Sequence, residues 1–331
     1  MEYEGSVTIN MANHLKMKKL VLKFLFVVAS IQYPRIRKDY RYFIRDNYYA
    51  RLRQIRFFFK DYISKSPYKE IEFQGEFDQE LRYVIPFAYW HYKNGTLKKT
   101  ISSKNTKPFY FFSDNHEERH TKRIWELGYT NFEIPNMTHS ANFSYTKWTR
   151  VPFKSHYANS RFKFDKPTLI IANKYNVEWD QAPINFFSLK TIEWIVQNYS
   201  AKYQIVYNRP LSTQIVSDNS DTLDLKEHSW LRLNYPEVIL MNDLFDTYKD
   251  EVENFNHLQL LVYANCDHFI SAHGGTAAFA SYFGGKNIIL SKRGIEHELR
   301  EFETILPALS GCKIYHAKSE EEVILLLSDH F

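Results

Sequence analysis

Between residues 167 and 290 the chain alternates two hydrophobic patterns. Short apolar runs at 167–172, 203–207, 238–241, 269–270 and 287–290 are bounded by polar residues or glycine, whereas 187–198 and 257–264 repeat apolar positions every three to four residues. The first pattern predicts strands buried on both faces, and the second predicts helices laid over them. Strand, helix and strand in succession predict an α/β fold with a parallel sheet and right-handed crossovers.

A weaker version of the same alternation precedes it. Residues 70–73 predict a strand, 81–92 a helix interrupted by Pro86, and 96–102 and 108–112 two further strands. Ser113 or Asp114 then reads as the N-cap of another helix. The pattern divides the chain into a basic helical segment at 1–65, a first Rossmann-like domain at 66–160 and a second at 161–331. Residues 134–162, rich in Asn, Ser, Tyr and Trp, predict a loop around the cleft.

Charge sets the first segment apart. Residues 1–60 hold 13 Lys and Arg against 4 Asp and Glu, a net of +9 that leaves −4 for the other 271 residues. Ile36, Tyr40 and Phe43, then Leu52, Ile55 and Phe59, recur at helical spacing among these basic residues. At 33–60 such a segment suits an anionic membrane surface, a solvated helix or, third, a phosphate backbone. No recognition helix, zinc finger or aromatic sheet motif accompanies it, so nucleic acid is the least supported partner. The apolar run 20–31 carries Lys23 and is too short to span a bilayer; it reads as a buried helix or an added membrane-contacting surface. No cleavage-site pattern marks secretion, and Cys266 and Cys312 form neither a disulfide framework nor a metal motif. The expectation is a cytoplasmic protein with a peripheral membrane contact as an alternative.

The chemistry gathers where strands end. The run at 269–270 leads into His273, Gly274, Gly275 and Thr276, and a small-residue helix pattern follows. A glycine pair there is at its blandest a tight connection, but it also frees backbone N–H groups at a helix start for an anion such as phosphate. Asn173, Lys174 and Arg209 also follow predicted strands, so a parallel sheet collects them along the same edge. Positive charge there would stabilise a departing diphosphate. Structural roles compete for each of these residues, most strongly for Lys174.

The stretch HLQLLVYANCDHFISAHGGTAAFASYFGGKNIILS at 257–291, in this α/β setting, resembles glycosyltransferases of the GT-B architecture, in which two Rossmann-like domains face one cleft. The resemblance covers about residues 68–331. It implies a nucleoside-diphosphate-sugar donor held by the second domain, a hydroxyl acceptor on a glycan or lipid-linked carrier held by the first, and no bound metal or tightly held cofactor. Carried over, His273, Gly274, Gly275 and Thr276 meet the diphosphate and sugar, Arg209 neutralises the diphosphate, Lys174 assists, and 291–297 adds donor contacts. The glutamates after Leu290 lack the Glu-x7-Glu spacing of many retaining members, which favours inversion and a general base. Glu76, Asp78, Asp114 and His116 are the candidates, with Glu76 and Asp114 ahead. Asp218 and Asp221 read as a solvated turn rather than a metal pair. A nucleotide-sugar epimerase of the same fold and a noncatalytic basic binding protein are the alternatives.

Overall fold

A computed structural model describes residues 3–124, 133–134, 146–179, 181–216, 221–297 and 300–331, with side chains from residue 16 onward, residue 295 excepted. Met1–Lys65 belongs to one compact unit, and Ser66–Leu127 with Lys147–Phe331 forms a second. Both sheets lie in the second unit. Asp218 and residues 135–145 of the predicted loop at 134–162 fall outside the described residues.

The first unit is helical. Helix α1 (Tyr3–Gln32) and helix α2 (Lys38–Arg56) are joined by a turn that Arg41 closes, donating from Nε to the Ile36 carbonyl (2.8 Å) and from Nη2 to the Pro34 carbonyl (2.7 Å). Leu25 and Ala29 of α1 are buried, and the Phe26 ring stacks on Tyr42 with centroids 4.5 Å apart. The buried positions of α2 are Ile44, Asn47, Ala50 and Gln54, while Leu52, Ile55 and Phe59 of the predicted apolar set face outward. The run at 20–31 is therefore not a wholly buried helix.

In the second unit, strands β1 (Lys69–Glu72), β2 (Leu97–Ser103) and β3 (His116–His120) form a parallel sheet in that order. Between β1 and β2 the chain is helical from Phe77 to Lys93, with a π-helical stretch at Glu80–Val84 just before Pro86. Proline cannot donate to the carbonyl four residues back, and the Trp148 indole bonds that Arg82 carbonyl instead (2.8 Å). Two predicted elements differ here. Residues 107–110 are a 3-10 turn, not a strand, and β3 replaces the helix expected after Asp114. A short apolar run has no diagnostic period, and the charged His-Glu-Glu-Arg-His is held as an edge strand by β2 and by the Lys99–Glu117 pair (2.5 Å).

The larger sheet comprises β4 (Thr168–Ala172), β5 (Gln204–Asn208), β6 (Ile239–Leu240), β7 (His268–Ala272), β8 (Lys286–Leu290) and β9 (Lys313–Ala317). All are parallel, in the order β6-β5-β4-β7-β8-β9. That is the doubly wound Rossmann order, with its reversal between β4 and β7. Both faces are covered. On one, Leu169, Ile171, Ile270 and Ile288 pack with Ile192 and Ile195 of helix Leu189–Tyr199 and with Val323 and Leu327 of helix Glu320–His330. On the other, Phe269 meets the rings of Tyr263 and Phe283, and Tyr263 meets Phe279. Ser188 caps its helix from the side chain, as do Asn254 and Ser319 theirs.

Candidate functional site

The site lies where the strand order reverses, because the connections leaving β4 and β7 run to opposite faces and open a crevice beyond their carboxyl ends. Asn173 and His273 are the first residues past those strands, anchored by backbone bonds from Asn173 N to the Asn208 carbonyl (2.9 Å) and from His273 N to the Leu290 carbonyl (3.0 Å). Gly274 follows with φ +94°, a region that a residue with a Cβ occupies only under strain. A methyl group at Gly274 would stand 3.7 Å from the Lys174 ammonium nitrogen, so this cation from the β4 loop lies directly over the turn of the β7 loop. Gly274, Gly275 and Thr276 are partly exposed, whereas Ala277 to Ala280 behind them are buried.

Lys174 is braced rather than isolated. Its ammonium lies 3.2 Å from Glu178 Oε1, and Glu178 in turn accepts from the Asn185 backbone (3.1 Å) and side-chain amide (2.7 Å). Asn185 Oδ1 then accepts from Lys292 N (2.7 Å), which ties the loop after β4 to the loop after β8. Trp179, 53% exposed and left-handed at φ 51°, holds its ring 6.4 Å from that of His273. A bulky side chain in that backbone region is held there by its surroundings.

His273 is oriented at both nitrogens. Its Nδ1 is 2.7 Å from Ser291 Oγ and its Nε2 3.4 Å from Glu296 Oε1. Ser291 Oγ also meets His297 Nε2 (2.7 Å), whose pKa is lowered by burial and by the neighbouring His316 and His273. The helix after β1 closes on the same loop: a methyl group at Gly275 would come within 3.2 Å of Phe77 Cδ1 and 3.5 Å of the Asp78 backbone nitrogen. Phe77, Phe109 and Phe279 fill that side with ring contacts of 5.2 to 6.3 Å. Below them Arg82 is buried, bonded from Nε to Asp78 Oδ1 (2.9 Å) and ion-paired with the buried Glu301.

The predicted site residues therefore separate into two groups. His273, Gly274, Gly275, Thr276 and Lys174 meet at the crevice, and Asp78, with Glu76 two residues before it at the head of the Phe77 helix, lies against them. Arg209 does not serve as an open cation. It is buried in a forked pair with Glu227, Nη1 donates to the Leu223 carbonyl (3.3 Å), and Asp224 lies 3.6 Å away. Burial opposes its charge, but the bonds and charge of Glu227 outweigh that and raise its pKa above the ordinary arginine value. The Asn173 amide is likewise committed, donating to the Phe187 carbonyl and Tyr207 hydroxyl and accepting from the backbone N–H groups of Lys174 and Phe187.

Asp114 and His116 sit elsewhere. Thr100 pairs with both Ile71 and His116, so Asp114 is level with the start of β1, at the amino ends of the strands, and it caps no helix. His116 Nδ1 meets Thr100 Oγ1 (2.8 Å) and Nε2 meets Thr106 Oγ1 (3.2 Å), while burial lowers its pKa. The part of the site not legible beforehand is Glu178, Asn185, Arg82 and the pairing of Glu296 with His273. Glu178 and Arg82 stand four residues from Lys174 and Asp78, a spacing too common to mark a site, and Asn185 and Glu296 meet Lys292 and His273 from other loops. Past β4 and β5 a small pocket of ≈ 50 Å³ is lined by Lys174, Arg209, Leu211, Ile215 and Thr222 among others.

Fold and site together define an α/β protein with a doubly wound sheet and a basic glycine loop at its switch point. No family model and no curated protein matches the sequence. Among solved structures the chain is similar to E. coli heptosyltransferase WaaC with ADP, at 10% identity over 85% of this chain and 78% of that one, with a TM-score of 0.33. At that score the likeness defines no shared arrangement of the two sheets.

Proposed function

We propose that the chain is a nucleotide-sugar-dependent glycosyltransferase that moves a sugar from a nucleoside diphosphate to a hydroxyl of a glycan or lipid-linked acceptor, with inversion and without a metal. The observation that carries this reading is the Lys174 ammonium over Gly274, where β4 and β7 part. A diphosphate at that turn would meet partly exposed loop backbone and the Lys174 ammonium, which would stabilise the charge left on the departing nucleotide. His273, held by Ser291 and Glu296, would orient the sugar beside it. Asp78 is the base that the geometry favours: Arg82 engages Oδ1, which leaves Oδ2 to take the acceptor proton. Glu76 is the second candidate, and the exposed Trp179 offers a ring face to the base or sugar.

Thermal unfolding measured with a panel of nucleoside-diphosphate sugars tests the reading. A ligand present at about a hundred times its Kd adds about 2.7 kcal/mol to the stability of the native state. The expected result is protection by one class of donor, abolished in Lys174→Ala, and slow donor hydrolysis or transfer that Asp78→Asn removes. If no donor protects the protein, or Lys174→Ala is protected as well as the parent chain, the reading fails.

A further inference from the structure

Helix α1 presents an apolar stripe that no described part of its own unit covers. Met17, Leu20, Phe24, Val27 and Ile31 are 55 to 73% exposed, although burying such side chains is the main stabilising force available to a helix. At about 100° per residue they fall within roughly 80° of the helix circumference, along about 21 Å of its length. Lys16, Lys19 and Lys23, all exposed, occupy the neighbouring roughly 60°. The buried Leu25 and Ala29 lie on the opposite side. Helix α2 and the turn after it repeat the combination, with Leu52, Ile55 and Phe59 exposed beside exposed Arg56 and Lys60.

We infer that this helical unit docks on an anionic phospholipid surface, the stripe of α1 sinking to the acyl boundary and the lysines meeting head groups. Apolar area and a one-sided cationic border on the same face match what such a surface offers. No described helix is long and apolar enough to cross a membrane, so the contact is one of lying on the surface. The spacing of the stripe is also that of a coiled-coil seam. The exposed lysines on its border, however, repel a parallel second copy. A polynucleotide would use the lysines but leave the apolar stripe in water.

The test is co-sedimentation of the full chain with vesicles of phosphatidylcholine, with and without phosphatidylserine, in the absence of any donor. The chain should bind the mixed vesicles, more weakly at high salt, and should bind pure phosphatidylcholine poorly. Leu20→Ser/Phe24→Ser/Ile31→Ser and, separately, Lys16→Glu/Lys19→Glu/Lys23→Glu should each weaken binding by at least about tenfold. All six positions are exposed, so unchanged circular dichroism and melting temperature are expected alongside. Unaltered vesicle binding in the serine variant would overturn the inference. So would a dimer that the serine variant splits without any vesicle binding, or binding to polynucleotide but not to vesicles. Because no donor is present, either outcome leaves the reading of the crevice where it stands.

Discussion

At the scale of single residues, two cations that look alike in sequence have opposite roles in the structure. Lys174 and Arg209 each follow a buried strand, but Arg209 spends its fork on Glu227, eighteen positions later, whereas Lys174 keeps its ammonium over Gly274. Removing Arg209 would take from the buried Glu227 its guanidinium partner, so Arg209→Ala is expected to lower stability by about 3–5 kcal/mol, read as a fall in the urea midpoint. Lys174→Ala should cost about 1 kcal/mol or less, because Glu178 retains its two bonds from Asn185. An equal loss in both variants would contradict the separation of roles. The position of Arg209 was legible from the strand pattern, and its partner was not, since Glu227 lies on another element with no periodic relation to it.

At the scale of elements, the helix after β1 depends on one buried carboxylate. Glu80 stands in the π-helical stretch and accepts from Tyr110 Oη (2.7 Å), Arg123 Nη2 (2.6 Å) and Ser102 Oγ. Arg123 also donates to the Gly75 carbonyl (2.9 Å), so the same knot fixes the turn that delivers Glu76 and Asp78 to the crevice. Glu80→Ala is therefore expected to destabilise the second unit by about 3 kcal/mol or more, through an unpaired buried Arg123. Hydrogen exchange of residues 69–103 should accelerate, and retained protection there would refute the role given to Glu80. Strands β4, β5, β7 and β8 were predictable because a strand covered on both faces is an unbroken apolar run. Strand β3 was not, because an edge strand needs no such run and is held by its neighbour.

At the scale of the whole molecule, buried histidine links stability to pH. Burial, and then the charges of Lys69 and Lys147, hold the pKa of His91 down to about 2, and its Nδ1 lies 2.7 Å from Thr96 Oγ1. The unfolded chain takes up a proton on this residue near its ordinary pKa of about 6.5, and the folded chain does not. The contribution is thus complete above that pH and is lost as pH falls from there toward the folded value. Between pH 7 and pH 5 the loss from His91 alone is about 2 kcal/mol. Urea unfolding of His91→Gln at the two values should show the pH dependence reduced by about that amount, and an unchanged dependence would place the titration elsewhere.

What the sequence determined by itself was the alternation of buried strands and covering helices, the glycine loop after β7 and the concentration of positive charge in residues 1–60. These follow from local facts: hydrophobic period, absence of a Cβ, and composition. Tertiary structure decided which strand ends became neighbours, which cations were already neutralised, and which apolar face of the first unit stayed open. The order β6-β5-β4-β7-β8-β9 brings Lys174 and Gly274 together across a hundred positions. Long-range pairing of that kind leaves no periodic trace in the chain, because its energy comes from surfaces that exist only once the sheet has formed.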